Sequence, residues 1–474
     1  MFQTEPGKLT NFRSFLVLQR WTLYKNLYNK RMSEIFARAQ ATDKRCVTST
    51  LLGGSTKKLT STGDYIGMST VLNHADDDVL VTDPEMVKSV TREYWSKLYT
   101  QQNTLDVPKL WLLTPSVVAV RKQIEKEPFQ WPVPLNITDF WAMVRRGNHC
   151  LVPGPDEWEK WCIKNLSDFA LSLVLDLHNY EVMTSKFPGD IKDMWLTTIH
   201  KRGIRTNLIN YRELMLSNFL ANSPMTWLNY KLIAYVAKLN IIPETQVAIQ
   251  QGVQTRDVMS YLSSSKCHAE QHHQMLYALQ HNQMKCFDYL APSGFYDALK
   301  AYGLLDAICD IDTAAQRQTT AFIYTAYGIT GPRVIDSLTK QGGLLSPVKS
   351  TLTTSLGHWY LDDLASTNLG SMVMTMKANK ANYFHTPDDQ LQARITMVEA
   401  TDNSYLIAIT LTALQSLCLE AERLQYAYRW SMQWTKTNVY VIYPNGDPPP
   451  VVTMPSITVA EGVHPLTIYQ HEVL

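Results

Sequence analysis

The sequence predicts an α+β protein, and three observations support this class. Two strand-like runs, 395–400 and 405–410, flank the polar turn Thr401-Asp402-Asn403-Ser404, a pattern typical of a β-hairpin with an acidic tip. Helical periodicity marks other segments, including the residues from Leu411 to about Trp430. Hydrophobic residues make up 45% of the 474 positions, which is enough for a sizeable core.

Length and composition exclude several other classes. A chain of 474 residues suggests two or three domains. With 20 glycines and 22 prolines it is not collagen-like or of low complexity. Its 7 scattered cysteines contain no C-x-x-C pair, which argues against a disulfide scaffold or zinc finger and favours a reducing compartment. We find neither a membrane-spanning stretch nor a signal peptide, so an intracellular protein without membrane contact is expected.

Residues 1–100 are predicted to form a basic helical N-terminal extension and linker. Between Lys8 and Lys58 there are 11 basic and 2 acidic residues, a net charge of +9, although the whole chain carries only +1. Apolar and basic residues alternate over 16–40 as in an amphipathic helix. Such an arm suits the phosphate backbone of a nucleic acid, and a solvated helical face is the alternative interpretation.

A helix start is predicted at Asp83-Pro84-Glu85, where the cap, the proline and the first-turn acid follow in the preferred order. Apolar residues at four-residue spacing then predict a buried stripe consisting of Met86, Val90, Tyr94 and Leu98. Residues 101–185 are expected to be mostly helical, with one helix from Glu157 to His178.

Strands mixed with helices are expected over 186–445. The Pro-rich tail, 446–474, is predicted to be loosely ordered.

A series of short motifs lies within the region of mixed strands and helices. In chain order they are His200-Lys201-Arg202-Gly203 with Asn210-Tyr211-Arg212, Pro243-Glu244-Thr245-Gln246 with Gln251-Gly252-Val253-Gln254-Thr255, Lys285-Cys286-Phe287-Asp288, Thr339 to Pro347 (T-K-Q-G-G-L-L-S-P), Ala400-Thr401-Asp402-Asn403, and Trp434-Thr435-Lys436-Thr437-Asn438. In this order they resemble the reverse transcriptases of fungal non-LTR (LINE-type) retrotransposons. The resemblance runs from roughly residue 70 to about residue 440.

This resemblance implies a fold and a set of partners. The fold would be a right-hand polymerase palm and fingers over 186–445, with an RRM-like antiparallel palm sheet and flanking helices. The thumb that follows the palm in the family is expected to be missing, which makes 446–474 a truncated tail. An RNA template, a DNA primer and dNTPs would be the partners, and two Mg²⁺ ions the cofactors of an active copy. No small-molecule cofactor is expected.

The resemblance also implies which residues hold the metal ions. Phosphoryl transfer to a primer end uses two Mg²⁺ ions, which prefer carboxylate oxygens. In the family three aspartates converge, one at the end of the first palm strand and two in the hairpin turn. The matching positions here are Asn282, Asp402 and Asn403, so Asp402 is the one metal carboxylate that remains. An amide keeps a carbonyl oxygen but loses the charge, and it therefore binds Mg²⁺ weakly.

Other roles are carried over position by position. Positive charge on the fingers would neutralise the triphosphate, an aromatic ring would lie against the sugar, a Gln-Gly pair would line the nucleotide pocket, and a lysine would donate a proton to pyrophosphate. The residues that match these roles are Lys201 and Arg212, Phe287, Gln341 and Gly342, and Lys436.

The two amides lead us to expect a degenerate, C-terminally truncated copy whose nucleotidyl transfer is impaired. The alternative is a non-catalytic remnant that binds RNA or an RNA–DNA hybrid. A third possibility is a pseudogene product without a selected role.

Two further patterns resemble functional motifs but are interpreted differently. Tyr360-Leu361-Asp362-Asp363 spells Y-x-D-D, yet the run 347–365 has the pattern of one continuous helix, so we place both aspartates at its polar end. Cys267-His268 and His272-His273 have the spacing of metal ligands. No further Cys/His set completes a tetrahedral site in the nearby sequence, and we interpret them as a polar helix face.

Overall fold

A computed structural model describes residues 69–73, 78–100, 107–131, 134–146, 152–158, 160–250, 252–284, 286–335, 339, 343–367, 370–377, 390–401, 403–442, 451–457 and 463–470. These residues form a mixed α+β fold with antiparallel and mixed sheets. The expectation of an N-terminal helix over 16–40 concerns residues outside the described ones. Among the described helices, none combines the length and the apolar character needed to cross a lipid bilayer.

The helices alternate irregularly with the strands along the chain. They are α1 (Pro84–Thr100), α2 (Pro115–Lys126), α3 (Ile137–Arg145), α4 (Lys160–Lys164), α5 (Asp168–Thr184), α6 (Phe219–Lys238), α7 (Thr255–Gln271), α8 (Cys286–Tyr289), α9 (Pro292–Tyr302), α10 (Asp306–Gln316), α11 (Ser346–Ser366) and α12 (Leu411–Ala427).

The strands form two larger sheets and two two-stranded pairs. They are β1 (Val71–Asn73), β2 (Val79–Val81), β3 (Met194–His200), β4 (Tyr211–Ser217), β5 (Leu276–Asn282), β6 (Thr319–Thr325), β7 (Gly328–Ile329), β8 (Arg333–Ile335), β9 (Met372–Lys377), β10 (Gln390–Ile395), β11 (Met397–Ala400), β12 (Asn403–Ala408), β13 (Asn438–Ile442), β14 (Val451–Pro455) and β15 (Val463–Gln470).

One larger sheet has six strands in the order β11-β12-β5-β13-β15-β14. Its neighbours are antiparallel except β13 and β15, which run parallel. The predicted hairpin is confirmed, because β11 pairs with β12 from Met397 opposite Leu406 to Ala400 opposite Asn403. The predicted helix after the hairpin is confirmed as α12.

The other larger sheet has five strands. Four follow the order β4-β3-β6-β7, and the fifth, β8, also pairs with β6. Its strands are antiparallel except for β3 and β6, which run parallel. Helix α1 packs on this sheet together with β1 and β2, and their buried side chains form one hydrophobic cluster.

The start of α1 is confirmed, since the Met86 amide donates a hydrogen bond to Asp83 Oδ1 at 2.9 Å. The predicted buried stripe was wrong at Met86 and correct at Leu98, which is 7% exposed, while Val90 and Tyr94 are partly buried against the same cluster. Met86 is 54% exposed, whereas Val87 and Trp95 are fully buried. The four-residue spacing identifies a face of the helix, but only the position of the five-stranded sheet decides which neighbouring face is covered.

Two other expectations were wrong. The predicted helix from Glu157 to His178 is divided, because Ser167 caps a new helix start by accepting a hydrogen bond from the Ala170 amide at 3.3 Å. The tail is not loosely ordered throughout, because β14 and β15 complete the six-stranded sheet. Here backbone pairing with β13 outweighs a proline-rich composition.

Both faces of the six-stranded sheet are covered. Leu279 of β5 and Leu406 of β12 belong to the main hydrophobic cluster, which also includes residues of α11 and α12. Leu276 and Ile407, from the opposite face, belong to a second cluster that includes residues of α7. Because side chains alternate along a strand, the register of each strand decides which residues meet the helices and which meet the other face.

Helix α5 buries an acid. Glu181 is fully buried, and neither of its carboxyl oxygens has a hydrogen-bond partner among the described residues. Burial raises the pKa of Glu181 well above its usual value. The folded chain therefore binds a proton that the unfolded chain releases near pH 4.5.

Stability from this group is fully present below the unfolded pKa and is lost as the pH rises through the higher folded pKa. We expect Glu181→Gln to raise the free energy of unfolding at pH 7 by about 1 kcal/mol or more, because the amide never ionises. The gain should vanish near pH 4. Urea unfolding at both pH values measures this, with exposed Glu93→Gln as the matched control. An equal gain at pH 4 and pH 7 would contradict the prediction.

Candidate functional site

The candidate site lies where β5 ends against the hairpin formed by β11 and β12. Asn282, the last residue of β5, stands directly opposite Asn403, the first residue of β12. The Asn282 side-chain amide donates a hydrogen bond to Asn403 Oδ1 at 3.1 Å. Asn403 is exposed and Asn282 is partly exposed, so a ligand can reach the pair.

The hairpin turn next to this pair has an unusual backbone. Only residues 401 and 402 separate Ala400 from Asn403, and Thr401 has φ +64°. A two-residue hairpin turn calls for positive φ, which Asn and Gly adopt easily and a β-branched residue does not. Backbone of this kind concentrates at functional sites. Asp402, the expected metal carboxylate, lies outside the described residues.

A loop between α12 and β13 approaches the same end of β5. The Gln433 amide donates a hydrogen bond to the Asn282 carbonyl at 2.9 Å, and the Lys436 amide donates to the Gln433 carbonyl at 2.9 Å. Lys436 ends a short 3₁₀ turn and is exposed. The structure therefore brings Asn282, Asn403 and the loop carrying Lys436 to one end of the six-stranded sheet.

A buried polar layer lies on the helix-facing side of this end. Glu399 of β11 is fully buried, and Ser404 donates a hydrogen bond to its Oε2 at 2.7 Å. Gln246 also donates to Glu399, and it donates to Thr354 Oγ1 of α11 at 2.8 Å. His358 Nε2 of α11 lies 3.9 Å from Glu399 Oε2. These contacts join the hairpin to α11 and to the segment around Gln246.

Sequence reasoning missed this layer, although one signal was available. Glu399 is two residues from Met397 and therefore shares its side of the strand, the side that faces the main hydrophobic cluster. A carboxylate on the buried side of a strand must find partners in the fold. The partners of Glu399 could not be predicted from the neighbouring sequence, because Gln246 and His358 are distant from it along the chain.

Two histidines in this region are buried and neutral. Burial lowers the pKa of His281, which neighbours Asn282, to about 4. Burial, with a smaller contribution from the charge of His281, lowers the pKa of His358 to about 3. The Nε2 atoms of both rings have no hydrogen-bond partner among the described residues.

The residues expected to bind the nucleotide are distributed over several elements. Arg212 is on β4 and Lys201 directly follows β3, both exposed on the five-stranded sheet rather than the six-stranded one. Phe287 lies on α8, five residues after Asn282, and is partly buried. Gln341 and Gly342 lie outside the described residues.

The residues that follow Gly342 line a cavity of about 40 Å³ at the start of α11, together with Lys349, Asp312 and Gln316. Lys349 and Asp312 form an ion pair in which both side chains are at most 4% exposed. Tyr296 donates a further hydrogen bond to Asp312 Oδ2 at 2.9 Å. Burial lowers the pKa of Lys349, and the charge of Asp312 opposes this. The pair ties the first turn of α11 to α10.

The Y-x-D-D sequence is helical, as predicted. Asp362 and Asp363 lie within α11, and Asp363 accepts hydrogen bonds from the backbone amide and hydroxyl of Ser116, at 2.9 and 2.6 Å. Asp363 thus holds the start of α2. Asp362 accepts a hydrogen bond from the Thr396 hydroxyl at 3.2 Å, and burial raises its pKa.

The Cys/His pattern lies at the end of α7, where the His268 and His272 rings stack with centroids 4.0 Å apart. Among the described residues, no group of three or more His, Cys, Asp or Glu side chains could hold a metal ion.

The described residues of the candidate site fit a divalent cation poorly. Both members of the amide pair are neutral, and the Asn403 oxygen already accepts a hydrogen bond from Asn282.

The chain was compared with known proteins. No family model matches it, and no curated protein matches it. Among solved structures, it is similar to the RNA-dependent RNA polymerase of a human picobirnavirus, with a TM-score of 0.43 and 10% sequence identity. The similarity covers 89% of this chain and 66% of that polymerase. It is weak and assigns no activity to this chain.

The buried histidines should make stability depend on pH. The pKa values of both histidines in the folded chain lie below the unfolded value of 6.5. Their contribution to folding stability is therefore present above pH 6.5 and is lost as the pH falls through the folded pKa values. Below pH 6, the free energy of unfolding of the parent chain should fall more steeply with decreasing pH than that of His358→Gln. The expected difference is about 1.4 kcal/mol per pH unit, because glutamine does not take up a proton.

Urea unfolding between pH 7 and pH 4.5 measures this slope. His273→Gln, at an exposed position after α7, is the matched control and should leave the slope unchanged. If both variants showed the same slope as the parent chain, the inference that His358 is buried and neutral would be wrong.

Proposed function

We propose that this chain is a reverse transcriptase-type polymerase domain of retrotransposon origin whose nucleotidyl transfer is impaired. The six-stranded sheet would be the palm, and the five-stranded sheet with Lys201 and Arg212 would belong to the fingers. RNA template, DNA primer and dNTPs are the proposed partners, and two Mg²⁺ ions the cofactors of an intact site. This proposal combines the ordered motifs of the sequence with the geometry at the end of β5.

One observation carries the proposal. The two positions at which the resemblance implies metal carboxylates, 282 and 403, lie directly opposite each other on β5 and β12, although they are 121 residues apart in sequence. Their side chains meet at an accessible end of the sheet, beside a strained two-residue turn. By resemblance, carboxylates at these two positions would share metal ions with Asp402, whereas the amides present here form a hydrogen bond with each other.

The alternative function is binding without catalysis. The hydrogen-bonded amides satisfy each other without a cation, and the lysine of the neighbouring loop is exposed. A site of this kind keeps a positive group for a phosphate backbone and has lost the charge needed for metal ions. Under this alternative, the chain binds RNA or an RNA–DNA hybrid and does not extend a primer.

Reverting the amides tests the catalytic proposal. The parent chain should incorporate dNTPs on an RNA-templated primer barely or not at all in Mg²⁺. Asn282→Asp with Asn403→Asp should increase incorporation by at least about 100-fold, because bound metal ions stabilise the transition state by several kcal/mol and each ~1.4 kcal/mol is a factor of ten. The double revertant should gain more than either single revertant, because both complete one site. Asn282→Asp should matter more, because by resemblance that position bridges both ions.

Single-nucleotide extension assays measure this, with Asn240→Asp as the control because it makes the same chemical change at an exposed position outside the sheet. A second set of variants carries a related thumb fused after residue 474. A parent chain as active as the double revertant would show that the carboxylate positions are misassigned. Inactive double revertants in both sets, together with intact RNA binding, would favour the binding alternative.

The basic N-terminal arm tests the binding function separately. Because residues 8–58 carry a net charge of +9, deleting residues 1–58 should flatten the dependence of log K on log salt for RNA binding. The expected change in slope is roughly 0.7 for each phosphate that the arm neutralises in the parent chain. Anisotropy titrations over a range of NaCl concentrations measure it. A full-length variant with Gln at the basic positions separates charge from length, and an unchanged slope in both variants would remove the arm from the interface.

A further inference from the structure

Four positively charged side chains lie at the C-terminal end of α3. Arg145 is its last residue and Arg146 follows it, while Lys160 and Lys164 lie one turn apart on α4. Lys164 Nζ donates a hydrogen bond to the Arg145 carbonyl at 3.0 Å, and Lys160 Nζ donates to the Arg146 carbonyl. Carbonyls at the C-terminal end of a helix lack intrahelical partners and attract cations. The lysines are therefore held beside the two arginines.

The two arginines rest on aromatic rings. The Arg145 guanidinium lies 4.9 Å from the Trp141 ring centroid, and the Arg146 guanidinium lies 5.0 Å from that of Tyr230 on α6. Both arginines are exposed, and Tyr230 is 40% exposed. A guanidinium stacked on a ring keeps its N–H groups available at its edges. The rings thus orient the arginines and leave their donors facing solvent.

Within the described part of the chain, no ion pair joins Arg145, Arg146 or Lys160 to a carboxylate. Asp139 lies in the first turn of α3, at the other end of the helix, and accepts a hydrogen bond from Asn136. Burial, and then the charge of Lys164, lower the pKa of Lys160. Like charges held this close repel one another, and a bound polyanion would relieve that repulsion.

We propose that these side chains form a second RNA-binding surface, the α3–α4 basic patch, defined as Trp141, Arg145, Arg146, Lys160, Lys164 and Tyr230. The partner is the phosphate backbone of single-stranded RNA. Planar guanidinium groups match phosphate oxygens in a two-point contact, and the lysines add point charges. A membrane surface fits less well, because the rings lie under the guanidinium groups instead of being free to insert among lipid chains.

The patch lies on helices outside the six-stranded sheet, so it is distinct from the candidate site at the end of β5. It requires that the chain bind RNA and does not require that it extend a primer. Failure of the Asn→Asp revertants to extend a primer would therefore not contradict the proposal that the patch binds RNA. Equally, failure of the patch leaves the polymerase proposal standing.

The test measures binding of the full-length chain to a fluorescent single-stranded oligouridine over a range of NaCl concentrations. Arg145→Gln with Arg146→Gln should shrink the slope of log K against log salt by about 1.4, for two phosphate contacts. Affinity at 0.1 M salt should fall by more than about tenfold. Arg145→Lys with Arg146→Lys should keep most of the slope and lose affinity, because the charge remains while the planar fork is removed.

The matched control, Arg256→Gln with Lys300→Gln, removes the same charge from exposed positions on α7 and α9 and should change the slope by less than half as much. Equal losses in the Gln variant and this control would overturn the proposal, as would parent-like binding by the Gln variant. Vesicles containing phosphatidylserine provide a second probe. Loss of vesicle binding with unchanged RNA binding would also overturn it. Because the Lys variant keeps both positive charges and both aromatic rings, it remains informative if the Gln variant unfolds.

Discussion

The register between β5 and β12 is the constraint on which the candidate site depends. Six consecutive residue pairs, from Asn403 opposite Asn282 to Ala408 opposite Tyr277, align the two strands. This register turns Leu279 and Leu406 toward the helices and brings the two asparagines together at the end. A slip of one residue would move the apolar set to the other face and separate the asparagines, so the core and the site are specified by the same pairing.

The polar layer around Glu399 shows how the core accommodates charge beside the site. Ser404 and Gln246 satisfy the buried carboxylate, and Gln246 links it to α11 through Thr354. Removing one partner would leave a buried polar group unsatisfied, at a cost of about 1–3 kcal/mol. The layer therefore ties the hairpin to α11 in one arrangement, which aliphatic side chains alone would specify less strictly.

The amide pair avoids a repulsion that charged side chains would cause at the same two positions. Two carboxylates directly opposite each other on neighbouring strands repel, and they need a cation to be tolerated. Asn282 and Asn403 replace that repulsion with a hydrogen bond. The ends of β5 and β12 therefore meet without like charges side by side. The Thr401 turn beside the pair has a positive φ, which a β-branched residue rarely adopts.

Local patterns in the sequence determined the hairpin, the capped start of α1 and the helical state of Asp362 and Asp363, because each depends on residues a few positions apart. Only the tertiary structure decided the rest. It placed Asn282 against Asn403 and recruited the proline-rich tail into the sheet. It also chose the buried face of α1 and gathered the basic patch from three helices. The physical reason is that long-range backbone pairing and burial act between residues distant in sequence, so no local window contains them.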